Sequence, residues 1–444
     1  MTPDQKTSLM LDQDWQAINI TGPQSHLLPI RGGLQRVAHD WSVSLHRMGK
    51  LHQAVTADYE GNTPVGYDAS FLPEDKIRMY RNPYYTEGKN AELIEDPQKS
   101  DVLYDAVEQS IDSAQGKSLL VNPHYFVMMK VVAEVMAGKK KVGDDSLQSA
   151  VRLHTVYSGN DKNSTRYKAE KQGIEQAGVV FVSTNYEAEQ LIVGQYGDGV
   201  RSKIVKAPLG IDEHILNLRF LSEEERNTLR TAERTRLIQR QRNLGNEHAA
   251  DILARTTDKT VVFSYVGRIV PSKRIEQLIA GYSEFRSQNP DNDSLLLLDS
   301  LIDVKEEGYY HEVMAAIKDN PNIAVVERER GAVFHTVADV NCILSVPTYE
   351  TYSLVAAEFD GASIVTNGGP FPEVVPHGLF VDPTSPMDIS QAMETSMNPA
   401  YRSRVRHAVQ KLPNQPTMRN NMKLSLEGLV SHGIIPPNSY RLSE

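Results

Sequence analysis

The stretch VVFSYVGRIVPSKRIEQLIAGYSEFRSQNPDNDSLLLLDS, residues 261–300, decides the fold. Its first seven residues are mostly β-branched or aromatic and read as a buried strand. A loop containing Pro271 follows, then an amphipathic helix over 273–288, the turn cluster NPDND, and a second apolar run, SLLLLDS. Strand, helix and strand in that order form a βαβ unit, whose strands run parallel and whose helix covers one sheet face.

Working outward, the same alternation continues in both directions. Downstream lie a helix in YYHEVMAAIKDN (309–320) and strands in IAVVER (323–328), NCILSV (341–346) and SIVTN (363–367). Upstream, AINIT (17–21), SLLV (118–121), VRLHTV (151–156) and VVFVST (179–184) are strands separated by helical segments. In LQRVAHDWSVSLHRMG (34–49), Leu34, Val37, Ala38, Trp41, Leu45 and Met48 recur at helical spacing, and Gly49 is placed to end the helix. The expected fold class is α/β, with two doubly wound parallel sheets. The expected boundaries are an N-terminal domain over 1–212, an arginine-bearing helical linker or insertion over 213–258 and a C-terminal domain over 259–420. The tail, 421–444, is expected to pack back on the first domain.

Composition narrows the function classes. Of 444 residues, 40% are hydrophobic and 23% charged, which suits a folded chain rather than a disordered one. One cysteine, Cys342, forms no intramolecular disulfide, so a stapled secreted scaffold is excluded and a reducing, cytoplasmic compartment is expected. The net charge of −10 argues against a generally basic nucleic-acid-binding surface. The start, MTPDQKTSLMLDQDWQ, lacks the apolar core of a secretory leader. The longest apolar stretch, 119–137, is interrupted by Asn122, Pro123, His124, Lys130 and Glu134, so membrane contact is expected to be peripheral at most.

Four segments carry candidate chemistry. In PTYETYSLVAAE (347–358), a strand ends at Pro347 and a helix is expected near Ser353, with Glu350 and Glu358 eight positions apart. As helix, eight steps would span roughly 12 Å, enough for two carboxylates to grip the two ends of a ligand around an anion at the helix start. In YVGRIVPSKR (265–274), Arg268 and Lys273 project from the loop after a strand, where two cations would neutralise a departing diphosphate. In PIRGGLQR (29–36), paired glycines ending in Gly33 allow close backbone approach to a ligand, although a simple turn has the same composition. His124 and His154 each fall at the end of a strand. The arginines at 226, 230, 234, 236, 240 and 242 suit either an anionic partner or a solvated helix with i,i+3 pairs such as Glu223–Arg226 and Glu233–Arg236. Asp291-Asn292-Asp293 matches a D-x-D metal pattern but sits in a turn cluster.

Taken together and in order, these pieces resemble the large retaining GT-B glycosyltransferase family that includes bacterial mannosyltransferases. PIRGGLQRV looks like its glycine loop, VRLHTV its histidine loop, and RYKAEKQGIEQAGVVFVST its Arg-x3-Glu helix with Arg166 and Glu170. KIVKAPLGID is similar to its linker, YVGRIVPSKR to its Arg/Lys loop, ETYSLVAAE to its paired-glutamate motif, and GGPFPEVVPHG, with Glu373, to the following loop and helix. The resemblance implies two Rossmann-like domains facing a cleft. It implies transfer of a sugar, with retention, from a UDP- or GDP-linked donor to a hydroxyl acceptor, and no obligatory metal or other cofactor. Arg268 and Lys273 would hold the diphosphate, and Glu350 the sugar hydroxyls. The backbone at Tyr352, Ser353 and Leu354 would lie near phosphate or sugar. Glu358 would bind the ribose, Gly33 would approach the diphosphate or acceptor, and His154 the sugar. Arg268, Lys273, Glu350 and His154 are thus the catalytic candidates. The sequence departs from the family at Asp299 and Ser300, where glycine is usual, and at Phe359, Asp360 and Gly361 after the second glutamate. Two other readings use the same features: a sugar-nucleotide epimerase or phosphorylase, and a non-catalytic sugar-nucleotide-binding protein.

Overall fold

The computed structural model describes residues 15–20, 33–58, 73–81, 97–114, 118–124, 126–141, 147–154, 156–157, 159–211, 213–301, 307–318, 320–327, 336–412 and 416–437. It divides into two compact units, residues 1–210 with 418–444, and residues 211–417. Most of the loop before Gly33 and the segment after Leu301 lie outside the described residues.

The first unit is built on β1 (Trp15–Ile20), β2 (Leu51–Asp58), β3 (Ile77–Arg81), β4 (Ser118–Pro123), β5 (Leu147–Arg152), β6 (Val179–Val182) and β7 (Ile204–Lys206). Their order in the sheet is β3-β2-β1-β4-β5-β6-β7, and every pair is parallel. Apolar side chains on alternate strand positions serve the two sheet faces. Ile18, Ile20, Val55, Leu119 and Val121 pack against Leu103, Val107 and Ile111 of helix Pro97–Asp112 and Val127, Met128 and Val131 of helix Phe126–Lys141. Helix Gly33–Arg47 contributes Trp41, whose ring lies 5.5 Å from that of Phe181. Trp41 Nε1 donates to Asn421 Oδ1 at 3.0 Å, and Asn421 Nδ2 donates to the carbonyls of Ala207 (3.1 Å) and Pro208 (2.6 Å). Helix Met418–Ser431 is thereby fastened to the first sheet, and Gly428 gives it room: a Cβ there would lie 2.3 Å from Val205.

The second unit holds β8 (Val261–Arg268), β9 (Ser294–Leu301), β10 (Ile323–Glu327), β11 (Val340–Ile343), β12 (Ala362–Thr366) and β13 (Leu379–Val381), ordered β10-β9-β8-β11-β12-β13 and parallel throughout. One face is covered by Ile275, Leu278, Tyr282 and Phe285 of helix Ile275–Gln288 with Ile389 and Met393 of helix Pro386–Met397. The opposite face, Val262, Leu295, Leu297, Ala324 and Val326, is covered by Leu237, Ala249, Ile252 and Leu253. These four residues come from helices Glu223–Asn243 and Glu247–Arg255. The 213–258 segment is therefore one layer of the second unit, because without it an apolar sheet face would meet water. Asp299 is buried within β9, opposite Val266 and Val326, rather than in a loop. No helix among the described residues is long and apolar enough to cross a membrane.

Helix Glu223–Asn243 starts at a capping box, with Ser222 and Glu225 satisfying each other's backbone N–H. Four of its arginines pair with acids of their own unit. Arg226 pairs with Asp360 at 2.5 Å and both are buried; Arg230 pairs with Asp339 through two bonds of 2.8 and 2.7 Å; Arg234 lies 3.6 Å from Asp258. Glu233–Arg236 forms the expected i,i+3 pair at 2.9 Å, whereas Glu223 turns to Arg406 instead of Arg226. Arg226→Ala strands a buried carboxylate and should lose about 3–5 kcal/mol from the second unit, while a double change to Met at 226 and Leu at 360 should recover most of it. Calorimetric melting of the three proteins checks this.

Candidate functional site

Ligands of open parallel sheets bind beyond the carboxyl ends of the strands, where the strand order reverses. In the second unit the reversal lies between β8 and β11. β8 ends at Gly267 and Arg268. The Tyr265 hydroxyl donates to the Arg268 carbonyl at 2.7 Å, and a Cβ on Gly267 would lie 2.6 Å from that hydroxyl, so this position requires glycine. Pro271–Lys273 then forms a 3-10 turn, and the helix starts at Ile275, two residues later than the sequence suggests. Between them Arg274 takes the left-handed conformation (φ 53°, ψ 47°), which a non-glycine residue adopts at a cost of about 1–2 kcal/mol.

The loop after β11 is tied to this turn. Val346 N donates to Ser272 O at 2.9 Å, and Thr366 Oγ1 donates to Ser345 O at 2.9 Å. Gly369, in the left-handed region at φ 63°, packs against Pro347, where a Cβ would come within 3.0 Å. Lys273 Nζ donates to Ser345 Oγ at 3.0 Å and forms an ion pair with Glu350. Burial pushes the Tyr265 phenol above its usual range; Glu350 and Asp299 push it further and Arg268 opposes them. Arg268, Lys273, Glu350 and Tyr265 thus share one neighbourhood, with Arg268 exposed at its rim.

The segment from Glu350 to Glu358 is not one helix. Glu350 (φ −116°, ψ 121°) and Ser353 (φ −95°, ψ 100°) are extended, and only Leu354–Glu358 is helical. The eight-step helical spacing therefore does not apply, and one short turn supplies little dipole. Ser353 caps it by accepting from Ala356 N at 3.4 Å. Glu358 is buried in a second neighbourhood with Tyr352 and Arg219. Arg219 also donates to the Ala357 carbonyl. Burial lowers the Arg219 pKa, while Asp360, Tyr352 and Glu358 hold it up. Nothing in the sequence around Arg219 signals this role.

In the first unit the order reverses between β1 and β4. Gly33 opens helix Gly33–Arg47. His124 follows β4 and is held to β1 by its N–H on Ile20 O at 3.0 Å. His154 lies two residues beyond β5, because that strand occupies 147–152 rather than 151–156. His124 Nδ1 and His154 Nε2 are 3.2 Å apart. Burial, with the Arg152 charge beside it, lowers the His124 pKa to about 3. His154 is also lowered, by burial first, then His124 and Arg152. Arg152 is itself buried, donating to Ala207 O at 2.9 Å, and its charge faces Glu187, whose carboxyl burial raises to about 7. Arg166 and Glu170 form a brace: Glu170 accepts from Arg166 Nε (2.7 Å), the Tyr196 hydroxyl (2.6 Å) and Tyr157 N (2.9 Å). Asp293 of the D-x-D triplet accepts from Thr260 Oγ1 at 2.8 Å, as a turn residue would.

No family model matches the sequence, and no curated protein matches it. Solved structures do match in fold. The Candida albicans trehalose-6-phosphate phosphatase N-terminal domain aligns with a TM-score of 0.68 at 12% identity, covering 94% of this chain and 97% of that one. Anabaena HepE in complex with UDP and glucose gives 0.65 at 13% identity, covering 93% and 99%. The Burkholderia xenovorans alpha,alpha-trehalose-phosphate synthase (UDP-forming) in complex with glucose-6-phosphate gives 0.62 at 11%, covering 93% and 100%. At these identities the likeness is one of fold, and the fold is the double Rossmann-like arrangement termed GT-B.

The buried groups of the first unit set a pH dependence whose sign can be worked out. The two histidines have folded pKa values below the unfolded one, so the unfolded chain takes up protons first and stability falls as pH drops below about 6.5. Glu187 runs the other way: its folded pKa of about 7 exceeds the unfolded value, so the native state gains stability as pH falls from 7 toward 4.5. Glu187→Gln removes this opposing contribution. The acid loss should steepen by about 1 kcal/mol per pH unit between pH 6.5 and pH 5. Urea unfolding followed by tryptophan fluorescence checks it, because Trp15 and Trp41 are the two tryptophans and both belong to the first unit.

Proposed function

We propose that this chain is a glycosyltransferase that moves a sugar, with retention, from a nucleoside-diphosphate sugar to a hydroxyl acceptor. One observation carries the reading: Lys273 Nζ is seated on both Ser345 Oγ and Glu350 at the strand-order reversal of the second sheet. An ammonium has three N–H donors, so this seat holds two and leaves the third for a phosphate oxygen. Arg268, at the end of β8, supplies a second cation. The pair would bind the diphosphate and stabilise the charge that develops on it as the glycosidic bond breaks. Glu350, steadied by Lys273, would take hydroxyls of the donor sugar, with the backbone at Tyr352, Ser353 and Leu354 beside it. Glu358 would take the ribose hydroxyls, its charge balanced by Arg219. Gly33 would approach the diphosphate or acceptor, and His154 the sugar. No catalytic base is named, since the departing phosphate oxygen can itself accept the acceptor's proton. The fold neighbours that carry UDP, or form it, make UDP-sugars the first donors to try and GDP-sugars the second.

Thermal-shift titration against a panel of sugar nucleotides should find a donor that raises the melting temperature. A ligand at 100 times its Kd stabilises the native form by about 2.7 kcal/mol. Lys273→Met should abolish most of that shift. Glu350→Gln should keep nucleotide binding but lose transfer to acceptor. Full turnover in both variants would remove the assignment, and donor binding without turnover across a wide acceptor panel would favour a binding protein instead.

A further inference from the structure

Two consecutive residues of the turn after β8, Ser272 and Lys273, are bonded twice to two consecutive residues after β11, Ser345 and Val346. One bond is main chain, with Val346 N donating to Ser272 O at 2.9 Å. The other joins side chains, with Lys273 Nζ donating to Ser345 Oγ at 3.0 Å. Both sides are held from behind. Lys273 N donates to Val270 O at 2.9 Å, and Ser345 O accepts from Thr366 Oγ1, at the end of β12, at 2.9 Å. Ser345 and Thr366 are each 1% exposed, so that end of the clasp is buried. The place of Ser345 is therefore fixed by bonds that do not involve Glu350.

The ion pair between Lys273 and Glu350 differs from that bond. It reaches one carboxylate oxygen, Oε1, and among the described residues Oε2 takes no hydrogen bond. Both side chains keep a share of open surface, 23% for Lys273 and 12% for Glu350. A carboxylate offers two oxygens to an ammonium, and a lysine with no other acceptor can bond both. The tetrahedral ammonium here has one hydrogen on Ser345 and one on Oε1, so its third points away from both.

We infer that Ser345 is a positioning residue that acts through Lys273: by taking one ammonium hydrogen it holds the cation to a single oxygen of Glu350, which leaves an N–H for a phosphate oxygen and a carboxylate oxygen for a sugar hydroxyl. This rests on the proposed reading of the second unit's site, and it names the residue that stops its cation and its acid from closing on each other. Without the serine hydroxyl, Lys273 turns its hydrogens to both oxygens of Glu350. An incoming diphosphate must then break that pair before it binds.

The test uses the full-length protein and two readouts. In the first, lysine is labelled with 15N at Nζ, and the Lys273 signal is assigned with Lys273→Met. Ser345→Ala should shift that signal. Thr366→Val, which frees the Ser345 carbonyl but keeps the side-chain shape, should shift it the same way by less. A folded Ser345→Ala protein with an unchanged Lys273 signal overturns the inference. In the second, calorimetric titration compares UDP with uridine, which lacks the phosphates. Ser345→Ala should weaken UDP about tenfold, as the loss of one hydrogen bond to a charged group does, and leave uridine within about twofold. Equal loss of both probes marks a general structural fault, and UDP affinity equal to wild type marks an idle hydroxyl; either overturns the inference. Should Ser345→Ala not fold, Ser345→Cys, whose sulfur is a weak acceptor, takes its place. If the Lys273 signal moves as expected but the wild-type protein binds neither UDP nor any sugar nucleotide, the seat stands and the glycosyltransferase reading fails.

Discussion

The second unit's site depends on bringing an ammonium and a carboxylate together across 77 residues of chain. Lys273 and Glu350 meet because β11 inserts beside β8, on the side away from β9 and β10. The chain must first complete helix Ile275–Gln288, β9 and β10 before it returns. Loops leaving two neighbouring parallel strands then start side by side and part toward different helices, which leaves a gap between them. Cross-ties hold that gap in shape: Val346 N on Ser272 O, Thr366 on Ser345 O, and Gly369 against Pro347. Glu350 and Ser345 hold the Lys273 side chain within that gap.

The arginine-bearing helix has a different job, and the positions of its partners show it. Asp339 stands immediately before β11 and Asp360 just before β12, at the amino ends of those strands. Lys273 and Glu350 lie at the carboxyl ends. Arg226 and Arg230 are therefore spent at the opposite edge of the sheet from the candidate site. Asp339 also accepts from Val262 N at 2.9 Å, so one carboxylate ties helix Glu223–Asn243, β8 and the start of β11 together. The departure from the glycosyltransferase pattern at Asp360 and the arginine-rich segment 221–258 explain one another, since each supplies the other's counter-charge.

The fold was legible where strands are buried on both faces. The runs around 118, 179, 261, 294, 341 and 363 are continuous and apolar, and each is a strand. β3, β7 and β13 give no strand signal because they are short edge strands, IRMYR, IVK and LFV, in which polar residues or brevity cut the apolar run short. β2, LHQAVTAD, carries polar residues at its start and was missed for the same reason. VRLHTV was read four residues late because Leu153 and Val156 continue the apolar run past the end of β5. Arg268, Lys273 and Glu350 could be found since a loop after an apolar run is visible in one dimension. Ser345, Arg152, Glu187 and Arg219 could not. Each is a polar residue buried against a partner far away in sequence, and periodicity reports only which face a residue occupies.

The two sheets use the same topological device with opposite electrostatics. At the second reversal, cations are part-exposed and seated on oxygen ligands, which suits an anionic diphosphate. At the first, Arg152 is buried near the histidines and committed to Ala207 O and Glu187. It therefore acts on the histidines as a field rather than as a ligand, discouraging their protonation without offering an N–H to an anion.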